Sequence, residues 1–328
     1  MLIFKNNAVA TVMVGDCLAA LLTMPDRSIN CCITSPPYYG LRDYGVDGQI
    51  GLEESPDAYV ARLVEVFREV RRVLTDDGTL WLNIGDSYSR DPRKGGSGPN
   101  GKHDVIPDYG NARRIMSEKR GSSDGGVGRA DRAPVRVGGE GLKPKDLIGI
   151  PWLLAFALRA DGWYLRQDII WNKPNPMPES VGDRCTKAHE YIFLLSKSER
   201  YFFDSEAMKE PADPANHRDS RGIRRTPDGQ ADHKGFANGR HYETRNKRDV
   251  WTVTPKPYKG AHFAVYPPEL IEPCILAGCP EGGTVLDPFG GSGTTGGVAL
   301  KHGRNAVLCE LNGEYAALMP ARIEAIAC

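Results

Sequence analysis

VLDPFGGSGTTG, residues 285–296, is the stretch on which the fold turns. Val285 and Leu286 carry an apolar run to a carboxylate, Asp287. Pro288 and Phe289 then turn the chain, and Gly290, Gly291 and Gly293 leave the backbone bare before a helical continuation to 303. Glycines at such a corner admit positive φ and let a ligand approach the main chain. Strand, glycine turn and helix in that order make the ligand corner of an open α/β sheet, where ligands sit at the carboxyl ends of strands. The next strand, NAVLCELN (305–312), delivers Glu310, a carboxylate placed to accept hydrogen bonds from both hydroxyls of a ribose.

The corner is equally informative for what it lacks. It is not the G-x-G-x-x-G of a dinucleotide site, since a Pro-Phe bend stands where the first phosphate-facing glycine belongs. It also lacks the P-loop lysine, because Thr294 and Thr295 follow Gly293. These residues suit a cofactor whose nucleoside matters and which carries no pyrophosphate. S-adenosyl-L-methionine fits: its ribose needs a carboxylate, its adenine an apolar slot, and its amino-acid end can bond to turn backbone and Asp287.

Working outward, strand and helix signals alternate. Val12–Gly15 closes a short strand, 16–23 reads as a helical turn, and 29–34 as a buried strand. In DAYVARLVEVFREVRRVL (57–74), apolar residues at 60, 63, 64, 67, 70, 73 and 74 mark a helix packed on a sheet. Asp76-Asp77-Gly78 turns the chain into a strand over 79–86. Further along, 151–160 reads as a helix, 164–171 and 189–198 as strands, and 267–279 as a helix. This alternation predicts an α/β, mostly parallel sheet with helices on both faces, a Rossmann-like fold. The turns at 15–16, 34–38 and 287–293 all follow strands and are expected to meet at one cleft.

Two polar stretches interrupt the pattern. Residues 89–142 are rich in Gly, Pro, Ser and Asp, with more basic than acidic side chains, and read as a flexible basic insertion, either simply solvated or a mobile arm that orders on a polyanion. Residues 204–251 form a second polar region that interleaves Arg and Lys with aromatics. The expected catalytic domain is therefore built from 1–88, 143–203 and 252–328.

Composition sets the outer limits. The 328 residues are 40% hydrophobic and 26% charged, with a formal net charge of +0, so bulk charge neither demands nor excludes a polyanionic partner. Eight cysteines are scattered with no CxxC pair, as expected of reduced thiols, and no metal site is expected. No stretch has the roughly 18 apolar residues of a membrane span, and the N-terminus lacks a basic leader. A cytoplasmic protein is expected.

A second motif stands near the start, in NCCITSPPYYGL (30–41). Prolines cannot donate to a ladder, so the strand must stop near Ser35, and two fixed φ angles make the corner stiff. An aromatic on a stiff corner is a platform for something flat. TSPPY (34–38) together with DPFGGSG (287–293) resembles the DNA amino-methyltransferases: the first matches their Asp/Asn/Ser-Pro-Pro-aromatic catalytic motif, the second their cofactor motif. Catalytic motif first and cofactor motif last is the order of the group called β. The likeness extends over VGD (14–16), GTLWLNIGD (78–86), DIIWNKPNPMPES (168–180), HEYIFLLSKS (189–198), HFAVYPPELIEPCI (262–275) and the C-terminal block.

The resemblance implies the S-adenosylmethionine-dependent methyltransferase fold, with polar insertions for DNA recognition, and a methyl transfer to the exocyclic amino group of a flipped base in double-stranded DNA. It implies that the Ser35 hydroxyl and Pro36 carbonyl accept the amino hydrogens, that Pro37 stiffens the corner, and that Tyr38 stacks on the base. It implies a cofactor site of Asp16, Phe263, Pro267, Asp287, Phe289, Gly291, Gly293 and Glu310. Base reading is expected from Arg221, Arg224, Arg225, Arg240, Arg245 and Lys247, with guanine and adenine edges as targets. Ser at the first motif position is commoner in members acting on N4 of cytosine and Asp in those acting on N6 of adenine. N4 of cytosine is thus the favoured target and N6 of adenine the alternative. A homodimer, a cognate restriction endonuclease and a bacterial, archaeal or phage origin complete the expectation.

Plainer readings compete. Asp16 would also serve as a helix N-cap, Glu310 as a surface charge, and Tyr38 as a core aromatic; Tyr39 stands between core and site. His189 reads as a structural hydrogen-bonder. The absence of Pro-Cys-Gln removes ring-carbon methylation, and the absence of HxE with PCxxC disfavours a zinc deaminase. A nicotinamide-dependent oxidoreductase and a silent DNA-binding relative are the remaining alternatives.

Overall fold

A single sheet carries the site. The computed structural model describes residues 1–41, 43–89, 141–212, 243–255 and 266–328. Its nine strands are β1 (Leu2–Lys5), β2 (Ala8–Val14), β3 (Ile29–Thr34), β4 (Leu74–Ile84), β5 (Tyr164–Asn172), β6 (His189–Ser196), β9 (Val250–Thr252), β10 (Thr284–Asp287) and β11 (Asn305–Glu310). They lie in the order β1-β2-β11-β10-β3-β4-β6-β5-β9. From β2 to β4 all neighbours are parallel, β6 enters antiparallel, and β5 and β9 pair parallel at the far edge. A separate antiparallel pair, β7 (Lys209–Pro211) and β8 (Thr244–Asn246), stands apart.

Helices cover both faces, as the alternation predicted. On one side lie α1 (Cys17–Leu22), α2 (Pro56–Val73) and α3 (Ile150–Ala160); on the other, α4 (Pro268–Gly278), α5 (Thr294–Lys301) and α6 (Gly313–Ala327). The strands feed both cores by their period of two. Leu80, Leu82 and Ile84 of β4 face the α2 side, while Trp81 between them faces the α4 side. Helix α2 starts where Ser55 accepts from the Ala58 N–H and Pro56 takes the first turn. Tyr59, Leu63, Val66, Phe67, Val70 and Val73 then form its fully buried stripe. Each such apolar side chain contributes roughly 1.5–3 kcal/mol relative to exposure.

The chain reverses direction across the sheet at one place. From β3 it passes through α2 to β4 on one side; from β10 it passes through α5 to β11 on the other. The carboxyl ends of β3 and β10 therefore border the crevice where such sheets bind ligands.

Several elements differ from the sequence reading. Residues 2–14 form a hairpin rather than one short strand ending at Gly15. Its two-residue loop is Asn6-Asn7, both at positive φ (51° and 59°), the conformation of a type I′ turn. β4 begins at Leu74, which pairs with Ile29 ahead of a register shift. Helix α6 was not anticipated, because Pro320 falls inside it and interrupts the pattern. β9 joins the main sheet, so that sheet already resumes at Val250.

Both long polar stretches spring from paired bases. Ser89 N–H donates to the Asp146 carbonyl (2.8 Å), and its carbonyl accepts from Lys145 N–H (2.9 Å), closing the first. The β7–β8 pair, with Ala212 N–H on the Glu243 carbonyl (2.9 Å), closes the second. Among the described residues no helix is long and apolar enough to cross a membrane.

Candidate active site

Asp287 ends β10 with only 1% of its surface exposed. Its Oδ1 accepts from Thr34 Oγ1 (2.6 Å) and the Phe289 N–H (3.1 Å). Its Oδ2 accepts from Thr295 Oγ1 (2.6 Å) and Tyr266 OH (3.0 Å). Burial pushes its pKa up, and the bonds from Thr295, Thr34, Phe289 and Tyr266 oppose that shift. The carboxylate is thus engaged inside the protein, where it braces the turn. Thr34 immediately precedes Ser35, so its bond to Asp287 hooks the diproline corner to the glycine turn across 253 residues of sequence.

The glycine turn has the form its residues suggested. Gly291 (φ 54°) and Gly293 (φ 84°) are left-handed, and Gly293 opens α5 without a side-chain cap. The Gly291 N–H donates to Glu310 Oε2 (2.9 Å), and the Asn312 N–H to Oε1 (2.9 Å). Burial raises the Glu310 pKa to about 7 against main-chain donors at Asn312, Gly291 and Leu311, with the Asp287 charge adding to the rise. The carboxylate keeps acceptor capacity beyond its main-chain bonds.

Asp16 follows the end of β2 next to the end of β11, because Val14 pairs with Glu310 and the Gly15 N–H donates to the Glu310 carbonyl (2.9 Å). It caps α1 through Ala19 N–H (2.9 Å), so the N-cap reading holds, with its second oxygen outside that bond. Phe289 is partly buried against the core on the α2 side. Pro267 caps α4 and follows Tyr266, one of the donors to Asp287. Phe263 lies outside the described residues.

At the corner itself, Ser35 and Pro37 are half-buried and Pro36 is buried. Tyr59 OH donates to the Pro37 carbonyl (2.8 Å), pinning the bend to α2. The two tyrosines part ways. Tyr39 is buried, its ring 5.4 Å from that of Tyr59, and belongs to the core. Tyr38 lies against the bare Cα of Gly85, where an added Cβ would come 2.7 Å from Cε2. Its hydroxyl donates to Glu190 Oε2 (2.7 Å), with Asn83 Oδ1 at 3.4 Å. Burial and the Glu190 charge push the phenol well above its ordinary pKa.

Several neighbours of this corner were not anticipated. Glu190 forms an ion pair with Lys173, and the Lys173 ammonium sits 4.1 Å over the Trp171 ring. Burial would raise the Glu190 pKa, but Lys173, the Tyr38 hydroxyl and Lys187 hold it below the usual carboxylate range. Asp86 caps α3 through the N–H groups of Gly149 (3.0 Å) and Ile150 (3.1 Å). A carboxylate opening the apolar strand HEYIFLLS, with a lysine closing its neighbour DIIWNK, was the available signal for the first pair. His189 packs edge-on against Tyr191 at 5.4 Å.

Of the six residues expected to read bases, Arg245 and Lys247 lie among the described residues. Arg245 and Arg248 both donate to Glu210 Oε1 (2.9 Å each), and Lys247 lies 5.2 Å over the Trp251 ring. Arg221, Arg224, Arg225 and Arg240 lie outside the described residues, as does most of 89–142. Among the described residues no group of three or more His, Cys, Asp or Glu side chains is placed to hold a metal.

Known proteins resemble this chain in sequence and in fold. The profile of the N6/N4 DNA methylase family matches residues 29–320. The type II methyltransferase M.Cfr9I of Citrobacter freundii is 48% identical over 315 residues, 96% of this chain and 88% of its own. M.SmaI of Serratia marcescens is 48% identical over 320 residues, 97% of this chain and 92% of its own. Among solved structures, the cytosine-N4-specific PvuII DNA methyltransferase superposes with a TM-score of 0.59 at 17% identity, covering 97% of this chain and 91% of its own. A Thermus thermophilus protein solved with S-adenosyl-L-methionine gives 0.57 at 24% identity, covering 97% and 94%.

Proposed function

Since this chain belongs to the N6/N4 DNA methylase family, we propose that it methylates the N4 amino group of cytosine within a specific duplex sequence. The observation that carries the reading is the Thr34–Asp287 bond, which holds the SPPY corner and the glycine turn at one crevice.

The residues at the crevice suit the cofactor. Glu310 is a partly desolvated carboxylate with acceptor capacity left for ribose hydroxyls, and Asp16 offers a second carboxylate at the neighbouring strand end for an adenine amino group. Phe289, Gly291, Gly293, Pro267 and Phe263 complete the set, with Asp287 holding the turn in shape. When bound, S-adenosyl-L-methionine supplies an electrophilic methyl group on a sulfonium.

The other half of the chemistry belongs to the corner. The Ser35 hydroxyl and the Pro36 carbonyl accept the two hydrogens of the target amino group, drawing its nitrogen lone pair out of conjugation with the ring. Tyr38 stacks on the base, contributing about 1–3 kcal/mol, which offsets much of the few kcal/mol needed to take a base out of the duplex. Positioning and local electrostatics suffice, and no covalent intermediate is required. A hydroxyl at position 35 can bond either amino group; the support for N4 of cytosine over N6 of adenine is that serine at this motif position is commoner in the members of the family acting on cytosine.

Base reading falls to the 204–251 region and phosphate contacts to 89–142. A homodimer and a cognate restriction endonuclease are part of the same reading. The test is to incubate the protein with mixed-sequence duplex DNA and methyl-labelled cofactor and to analyse the nucleosides by mass spectrometry. N4-methylcytosine is expected; N6-methyladenine would replace the base assignment, and label in neither would overturn the function.

A further inference from the structure

We infer that Glu190 and Lys173 act as a positioning pair that fixes the Tyr38 ring in the orientation the target base meets. The inference rests on the reading of Tyr38 as the platform for that base. Tyr38 follows two prolines on a segment outside any strand or helix. Its ring has a backbone surface to lie on at Gly85, and its direction is set by the hydroxyl. That hydroxyl points at a carboxylate whose two oxygens are divided: Oε1 to Lys173, and Oε2 to Tyr38, with Asn83 Nδ2 at 3.4 Å.

The pair is mounted on the β5–β6 ladder, where Trp171 pairs with Glu190 and Asn172 with His189. Side-chain exposure is 16% for Glu190 and 18% for Lys173. A desolvated ion pair is weak grounds for stability, because apolar residues of the same volume often serve as well. What apolar residues could not provide is an ionised acceptor for a phenol, and hydrogen bonds to charged groups are about twice as strong as neutral ones. Lys173 keeps Glu190 ionised, Glu190 holds the hydroxyl, and the hydroxyl aims the ring. Neither residue touches the base in this account.

A double-mutant cycle tests it. Tyr38→Phe and Glu190→Ala are each expected to slow single-turnover methylation by about tenfold. Duplex affinity and S-adenosylhomocysteine affinity should stay within about twofold of wild type. The double variant should lose no more than the worse single, because both remove the same bond. Multiplied losses in the double variant would overturn the inference, and so would an unchanged rate in Tyr38→Phe. The latter variant alone decides the matter if Glu190→Ala does not fold. Tyr38→Ala separates this from the underlying reading, with an expected loss of about a hundredfold. If Tyr38→Ala were fully active, Tyr38 would not be the platform at all. If it were impaired while the cycle was additive, only the positioning role would fall.

Discussion

The glycine turn and the diproline corner end neighbouring strands, yet they are held in different ways. The turn is gathered onto two strand-end carboxylates: Asp287 takes bonds from Thr295, Tyr266 and the Phe289 N–H, and Glu310 takes the Gly291 N–H. The corner is held from outside, by Tyr59 of α2 on the Pro37 carbonyl and by Glu190 of β6 on Tyr38. Thr34 joins the two. A cradle whose donors converge on two buried or half-buried carboxylates keeps one shape through each cycle. A corner set by distant residues allows the reacting side to be tuned without disturbing the cradle.

The comparison breaks most severely at Asp287. Replacing it by Ala leaves Thr34 and the Phe289 N–H without their acceptor and Thr295 and Tyr266 with only each other, and should cost about 3 kcal/mol. Urea unfolding would show it, and an unchanged midpoint would mean that the turn does not depend on this carboxylate.

Glu310 is the next test, through pH. Its folded pKa, about 7, lies above its ordinary value. Its contribution to stability is therefore full below the ordinary carboxylate range and is lost as pH rises toward 7. Ribose hydroxyls favour the charged form, so S-adenosylhomocysteine affinity should rise through the same window and level off above it. Glu310→Gln should weaken that affinity by about tenfold and flatten both pH dependences. Calorimetric titration at a series of pH values checks this, and a persistent slope in the variant would assign the proton elsewhere.

The smallest change sharpens the joint itself. Thr34→Val removes one donor to Asp287 and keeps the shape, for a loss of about 1–2 kcal/mol. Methylation should fall more than S-adenosylhomocysteine affinity, because the corner shifts relative to an otherwise intact turn. Equal losses in both would show that Thr34 supports the turn alone.

Much of this was legible in the sequence because it was local. The spacing in 57–74, the prolines after Thr34 and the glycines after Asp287 each dictate their own backbone. The engagement of Asp287 was not legible, since its donors Thr34, Tyr266 and Thr295 come from three separate segments. Glu190 and Lys173 were hidden for the same reason: only the β5–β6 register brings them together. The Asn6-Asn7 turn was legible in principle, but the apolar residues on either side of it mask the break between two strands. Pro320 concealed a helix that the opposite core, with Met319 and Ile323 buried, enforces.

All of this depends on a single site with two separable halves, one for cofactor and one for the amino group. Ser35→Ala tests that division in one sample, by titrating S-adenosylhomocysteine and then measuring methyl transfer to duplex DNA. The expected result is cofactor affinity within about twofold of wild type and turnover reduced by at least about a hundredfold. Full turnover in Ser35→Ala, or cofactor binding lost in step with it, would contradict the account.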